Sequence, residues 1–436
     1  MMKEKTKTKF KETEIGKIPE EWEVASVSDL ADIYIGGTPK TEVGEYWNGE
    51  IKWASAKDVS NCRSRYICNT ERTITNTGIE NSNAKIFPKD TLVITSRGTV
   101  GKLALLGEPM SFNQTCYGLV AKKQTIPLFL YYKLKDSVDK IQSASYGTIF
   151  DTITTKTFNE LKLGIPPLHE QHSIVRILSD LDSKIELNQQ MNKTLEEMGR
   201  AIFKHWFIDF EFPNEEGKPY KSSGGEMINS DIGTIPKGWR ISSIGHEIEV
   251  GGGSTPSTSE SSYWDGGDIN WATPKDMSSL TSPILVDTQR KITTKGLDAI
   301  GSRKYPRGTL LMSSRAPIGY LAISDIATAV NQGIIAMVCT QSLSSYFMLN
   351  WCKFNMEKIE NRANGTTFRE ISKSNFRTMG ILVPPKSLLS RFDGYARMIY
   401  SHMSTNIRHS YTLQNIRDSL LPKLMSGKIR VPVEAQ

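Results

Sequence analysis

The sequence predicts an α+β protein in which two similar globular domains are separated by two long antiparallel helices forming a coiled coil, with pseudo-two-fold symmetry. Three observations predict this. The chain repeats about half of itself, each copy carries short β-like apolar runs, and each copy is followed by a heptad-spaced segment.

The repeat is read directly. Ile-Gly-Lys-Ile-Pro-Glu-Glu-Trp at 15–22 returns as Ile-Gly-Thr-Ile-Pro-Lys-Gly-Trp at 232–239, an offset of 217 that Thr38 and Thr255, and Trp47 and Trp264, also keep. One inserted residue then moves the offset to 218. Trp53 pairs with Trp271, Lys57 with Lys275, Arg97 with Arg315, Gln114 with Gln332, Thr148 with Thr366, and Pro166–Pro167 with Pro384–Pro385. A unit this long is a whole domain rather than a solenoid or propeller repeat.

A lysine-rich segment at 1–14 is expected to be a disordered basic tail. The first domain follows at 15–167, with β-like runs at 91–95, 102–106 and 117–120 and a helical stretch at 128–142. The Pro-Pro pair ends it. From 168 to 212 alternating spacings of four and three select Ile174, Leu178, Leu181, Ile185, Asn188, Asn192, Leu195, Gly199, Ile202 and Trp206, a seam for a long helix. A breaker-rich linker is expected at 213–231 and the second domain at 232–385. The second long helix, 386–427, repeats the seam from Phe392 to Leu424, with Pro422 expected to interrupt it near its end, and 428–436 is a tail. Two such helices pair most economically with each other, and the matched Asn188 and Asn406 can fix their register.

Composition limits the function. Hydrophobic residues at 38% and charged residues at 23% suit a globular protein. No apolar run approaches a membrane span and the N-terminus lacks a signal-peptide core, so a cytoplasmic location without membrane contact is expected. Five scattered cysteines without a C-x-x-C pair indicate reduced thiols. A net charge of +7 tilts toward an anionic partner.

Catalytic constellations are missing. Gly101–Lys102 lacks the first glycine of a phosphate-binding loop, which is Ser96 here. His169 and His172 are three apart rather than four, and neither Pro-Pro pair has the flanking residues that hold a flipped adenine. No metal site or enzyme acting alone is indicated.

The combination resembles the DNA-specificity subunits of Type I restriction–modification systems over nearly the whole chain. Its carriers are the paired Ile-Pro-x-x-Trp openings, the Gly-Gly-Thr-Pro and Gly-Gly-Ser-Thr-Pro turns, Ile-Pro-Pro-Leu-His-Glu-Gln at 165–171, Ala201–Asp209, and Leu-Leu-Pro-Lys-Leu-Met-Ser-Gly-Lys-Ile at 420–429. The second repeat departs by having Lys-Ser-Leu-Leu-Ser at 386–390 where the first has Leu-His-Glu-Gln-His. The resemblance implies two target-recognition domains, each reading half of a bipartite site in double-stranded DNA, with the helices setting the spacer. It also implies two methyltransferase subunits that use S-adenosylmethionine to methylate adenine N6, and restriction motor-nuclease subunits that use ATP and Mg. This chain itself binds no cofactor and catalyses nothing on that reading. A regulatory or antirestriction DNA-binding protein using the same domains is the alternative. An unrecognised enzyme and a simple coiled-coil connector are weaker ones.

The repeat also sorts candidate DNA contacts. What the copies share is fold or backbone contact, and where they differ is where half-sites could be read. The shared tryptophans read as core. The shared cations Lys57, Lys275, Arg97 and Arg315 read equally as phosphate contacts or structural ion pairs, and Thr148 and Thr366 as phosphate donors or turn residues. The divergent residues Arg63, Arg65, Lys102 with its counterpart Tyr320, Tyr146, Asn364, Arg369 and Lys373 are the readout candidates, because arginine suits guanine and asparagine suits adenine. Trp206 and Phe207 are candidates for a partner contact, with core the favoured reading.

Overall fold

A computed structural model describes residues 9–144, 152–340, 342–365 and 369–431, excepting the side chains of 139–144. The chain divides into two compact units, Met1–Glu186 with Thr412–Gln436, and Leu187–Tyr411. Each holds one domain and parts of both long helices.

In the first unit a five-stranded sheet has the order Ala31–Ile35, Cys116–Ala121, Leu92–Thr95, Leu103–Leu106, Tyr66–Ile67. Leu92–Thr95 is buried throughout, which is why it reads as a continuous apolar run rather than an alternating one. A three-stranded sheet, Ser111–Phe112, Trp47–Ala54, Arg72–Ile74, lies beside it in sequence order, and Glu23–Ser26 pairs with Lys162–Ile165. Trp22, Phe129, Tyr132, Phe158, Ile174 and Leu424 pack into one core, which joins this domain to its helices.

The second unit repeats the plan: Glu249–Gly252, Ile334–Val338, Leu310–Ser313, Leu321–Ser324, Ile284–Leu285 form the larger sheet. Tyr117 pairs with Ile35, and its counterpart Ile335 pairs with Gly252. The inserted residue falls in the turn between Trp264 and Trp271, where Gly266 takes φ +71° as Asn48 takes φ +62° in the first domain. It is absorbed there: the Trp47–Trp53 and Trp264–Trp271 rings keep edge-on contacts at 5.3 and 5.2 Å.

Both long helices form. The first spans Leu168–Phe203 and ends in a π-helical turn, Lys204–Ile208; the second spans Lys386–Met425. Every residue of the expected first seam is buried or half-buried. Within the first unit the seam is crossed at Asp182, which meets Arg417 at 2.6 Å. Within the second, Asn188 Nδ2 donates to Ser410 Oγ at 3.1 Å and Asn406 Nδ2 to Asn192 Oδ1 at 3.0 Å. As the position rises on one helix it falls on the other, so the pairing inside each unit is antiparallel.

Three expectations give way. The tail does not extend to residue 14, because Phe10–Thr13 pairs with Gly16–Pro19, and the linker ends earlier because Met227–Ser230 pairs with Gly233–Pro236. Both are hairpins too short and polar to show in hydrophobic patterning. Pro422 does not break its helix: it and Asp418, whose carbonyl loses its amide partner, are exposed and close to the helix end. The departure at 386–390 does not disturb helix entry either, since Lys386 starts the second helix as Leu168 starts the first.

That departure has a physical meaning. In the first unit Glu170 is buried, accepts from Trp22 Nε1 at 2.9 Å and pairs with Arg430 at 2.7 Å. The counterparts are Leu388, buried, and Phe212, whose ring lies 5.6 Å from that of Trp239. A charged clasp in one unit is an apolar one in the other.

The second unit carries its own buried charge. Glu247 is fully buried and takes both Arg240 guanidinium nitrogens at 2.6 Å, with Ser242 Oγ also donating at 2.6 Å. Arg240 holds its carboxyl well below the usual carboxylate range, against the opposing effect of burial. A depressed folded-state pKa contributes stability present above the unfolded value of about 4.3 and lost as pH falls below it. Glu247→Gln is expected to cost about 1–3 kcal/mol at neutral pH. The deficit should shrink as pH is lowered through 4, which urea titrations at stepped pH would show; a deficit constant with pH would refute it.

All five cysteines are unpaired. Among the described residues no helix is long and apolar enough to cross a membrane, and no group of three or more His, Cys, Asp or Glu could hold a metal ion.

Candidate nucleic-acid interface

Each domain presents a tight turn between the second and third strands counted inward from one sheet edge. In the first domain this turn, 96–101, needs left-handed glycines, Gly98 at φ +75° and Gly101 at φ +83°. Ser96 is fixed at its base by Oγ donating to Thr115 O at 2.9 Å and by accepting from Ile153 N at 3.1 Å. Arg97 is exposed. A hydroxyl contact between Ser60 and Thr99 ties the turn to the short helix Ala56–Asn61, which starts at a capping box made by Ser55 and Asp58.

The second domain builds the same frame. Ser314 accepts from Ile371 N at 3.0 Å, and Arg315 meets Glu370 at 3.7 Å. Asn364 and Glu370 exchange backbone hydrogen bonds at 3.0 Å, so Arg315 and Asn364 meet on one segment with Arg369 and Lys373 close by in sequence. Arg369 is exposed and donates to Glu360 O at 2.7 Å; Lys373 is exposed with its amine beside Gly252. The structure brings Arg315 and Asn364 together on Glu370, with Arg369 and Lys373 on the same segment. It does not bring Tyr320 into the group: its ring is half-buried in a pocket lined by Leu280, Pro283, Lys353 and Met356.

The glycine-rich loops explain themselves by close approach. A Cβ at Gly36 or Gly37 would meet backbone atoms of Asn113 or Asn83 at 2.2–2.3 Å, and one at Gly253 would run into Val330 O. The neighbouring threonines hold the same loops in both domains, Thr38 on Gln114 and Thr255 on Gln332. Trp53 Nε1 donates to Gly37 O at 2.9 Å and Trp271 Nε1 to Ser254 O at 3.1 Å, so the shared tryptophans anchor these loops.

Among the other sequence candidates, Lys57 is exposed but paired with Glu71 at 2.8 Å, which raises its pKa, while its counterpart Lys275 is exposed without an ion pair among the described residues. Arg63 and Lys102 are exposed. Tyr146, Thr148 and Thr366 lie outside the described residues. Trp206 and Phe207 are buried, in keeping with the core reading.

Arg65 is the clear correction. It is buried, its guanidinium grips Glu186 at 2.8 Å, and it also donates to Ser183 Oγ at 2.9 Å. A guanidinium satisfied this way in the docking of a domain on a helix is not available to a base edge. Arg65→Ala is therefore expected to lower the stability of the first unit by about 1–3 kcal/mol, because Glu186 is left partly buried and unpaired. The recognised sequence should stay unchanged at permissive temperature, and a relaxed motif in a stably folded variant would restore a reading role.

Sequence reasoning also passed over two arginines. Arg72 and Arg290 occupy the same repeat position, each with its guanidinium carbon 3.4 Å above a tryptophan ring, Trp47 and Trp264 respectively. The signal was present in the repeat, as Arg-Thr-Ile-Thr at 72–75 against Arg-Lys-Ile-Thr at 290–293.

Comparison with known proteins agrees with this two-copy frame. The family described as Type I restriction modification DNA specificity domain matches twice, at residues 19–197 and 236–388. The chain is 30% identical over 441 residues to the Type I restriction enzyme MjaIX specificity subunit of Methanocaldococcus jannaschii, covering 99% of both. It is 25% identical to the HindI specificity subunit of Haemophilus influenzae, over 66% of this chain and 74% of that one. The S subunit of a Type I system from M. genitalium has a similar fold, with TM-score 0.55 and 15% identity over 92% of this chain and 96% of that one. Two family matches falling on the two structural copies, and a relative aligned from end to end, place this chain in the family of Type I restriction–modification DNA-specificity subunits.

Proposed function

We propose that each domain reads one half of a bipartite, asymmetric duplex site, and that the chain is a non-catalytic scaffold for two adenine-N6 methyltransferase subunits and the motor-nuclease subunits. S-adenosylmethionine, ATP and Mg belong to those partners, and the assembly works in the cytoplasm. The observation that carries the reading is the pairing of a common frame with unlike exposed tips. The bases of the two turns are fixed by the same hydrogen bonds, from Ile153 to Ser96 and from Ile371 to Ser314. Around them, beside the shared Arg97 and Arg315, the exposed side chains differ: Arg63 and Lys102 in one domain, Asn364, Arg369 and Lys373 in the other. A shared frame suits the regular phosphate backbone, and unlike tips suit unlike base sequences.

Single-molecule methylome sequencing of host DNA with the gene present and deleted tests it. Loss of N6-methyladenine from one two-part motif is the expected result and gives both half-sites. An unchanged methylome, together with tight sequence-specific binding by the isolated chain, would favour a regulatory DNA-binding protein instead.

A further inference from the structure

We propose that Arg72 and Arg290 are a matched pair of DNA-backbone contacts, one per domain, held ready by the tryptophans on which they lie. The inference rests on the reading that both domains bind duplex DNA. Its basis is a geometry built twice: Arg72 lies 3.4 Å over Trp47 and 5.9 Å from Trp53, and Arg290 lies 3.4 Å over Trp264 and 5.8 Å from Trp271. Both arginines are exposed, and neither makes an ion pair among the described residues. This sets them apart from Arg65, Arg240, Arg417 and Arg430, each of which meets a carboxylate at 2.6–2.8 Å.

Position is fixed as firmly as contact. Each arginine opens an edge strand, opposite Trp53 and Trp271 in register. The residue before it is tied by its backbone N–H to the aspartate of a helix-capping box, Glu71 to Asp58 at 3.1 Å and Gln289 to Asp276 at 2.8 Å. The same short helices carry Lys57 and Lys275, and in the second domain Gly333 lies against both Pro274 of that helix and the Arg315 guanidinium. The stacked arginine thus belongs to the frame that carries the shared cations.

Stacking occupies the face of a guanidinium and leaves its N–H edge free, the edge that grips a phosphate bidentately. It also removes side-chain freedom before binding, so less entropy is lost on contact. Because the arrangement is common to domains whose tips differ, it cannot distinguish half-sites, and its chemistry is that of a sequence-independent phosphate contact.

The test is the salt dependence of binding of the full chain, with its methyltransferase partners, to a mixed-sequence DNA duplex. Two lost phosphate contacts should lower the slope of log K against log salt by roughly two in the Arg72→Ala, Arg290→Ala double variant. Replacing both by glutamine, whose planar amide can still cover the ring, should lower it equally and guards against misfolding of the alanine variant. Replacing both by lysine should keep most of the slope. A falling melting temperature with an unchanged slope would mean that the arginines only cover the rings, and would overturn the inference alone. If the wild-type complex bound no duplex DNA, the DNA-recognition reading would fall and this inference with it.

Discussion

Replacing Arg417 by alanine is expected to destabilise the unit formed by Met1–Glu186 and Thr412–Gln436 by about 3–5 kcal/mol. Arg417 donates to Asp182 Oδ1 at 2.6 Å, and Tyr132 donates its hydroxyl to Asp182 Oδ2 at 2.6 Å. The Asp182 side chain is only 6% exposed. Burial and then the Asp182 charge raise the Tyr132 pKa well above the ordinary phenol range, which keeps the hydroxyl a donor. Alanine removes the cation hydrogen-bonded to this carboxylate and leaves it desolvated with a neutral hydroxyl as its remaining close partner among the described residues. The cost comes from the orphaned charge rather than from the pair's own worth, since buried pairs often gain little over apolar substitutes. Asp182→Leu combined with Arg417→Met should therefore recover most of the loss. Urea denaturation of the three proteins checks this. An alanine variant within about 1 kcal/mol of wild type, or a double variant no better than the single, would refute the account.

Much of this architecture was legible because duplication lets the sequence be compared with itself. The two sheets, both long helices and the asparagine-bearing seam all sit where the repeat and the heptad spacing put them. Short polar hairpins such as Phe10–Pro19 were not legible, since their strands have no buried face to impose a pattern. Arg65 shows the limit of the sorting rule. Its counterpart is Pro283, and divergence was read as a sign of base recognition. Yet the partner has diverged too: Glu186 corresponds to Ser404, which donates to Asp325 at 2.5 Å. Divergence between the copies also records different ways of docking a domain on its helices, and only the fold shows that residues 121 positions apart are in contact.

The same comparison separates frame from function. Where the copies agree, hydrogen bonds recur on the same atoms, as from the indole nitrogens of Trp53 and Trp271 or to the backbone carbonyls of Ser96 and Ser314. Where they disagree in the interior, one polar device replaces another. Asp182 in the seam corresponds to Tyr400, and Tyr132 above it corresponds to Asn350, whose amide reaches the Tyr400 hydroxyl at 3.5 Å. Arg417 corresponds to Gly199, which leaves room for that tyrosine, the hydroxyl lying 3.8 Å from where a Cβ would be. The exchange is not one for one: two hydrogen bonds of 2.6 Å in the first unit become one of 3.5 Å in the second, where Asn350 Oδ1 is buried without a partner among the described residues. Around the shared Arg97 and Arg315 the exposed side chains differ, Lys102 in one domain against Asn364, Arg369 and Lys373 in the other, and their complement is expected in the DNA.

Phe203→Ala should be the most damaging apolar change, costing the unit Leu187–Tyr411 about 3–5 kcal/mol. Phe203 is 1% exposed, and its ring centroid lies 5.1–6.0 Å from those of Phe207, Phe347, Phe354 and Phe392. These rings come from the end of the first long helix, the second domain and the start of the second long helix, so the cavity opens where three elements converge. Rings packed on several sides cannot all relax inward, which puts the cost at the high end of the transfer-plus-cavity range. Phe203→Leu refills most of the volume and should lose less than half as much. Calorimetry should show a fall of roughly 10 °C for alanine in this unit. Because the candidate DNA contacts Arg315, Asn364, Arg369 and Lys373 stand on this unit but outside the cluster, methylation of the motif should persist below the new transition and fail above it. An alanine variant that kept its transition temperature but lost methylation would place Phe203 in partner or DNA contact instead of the core.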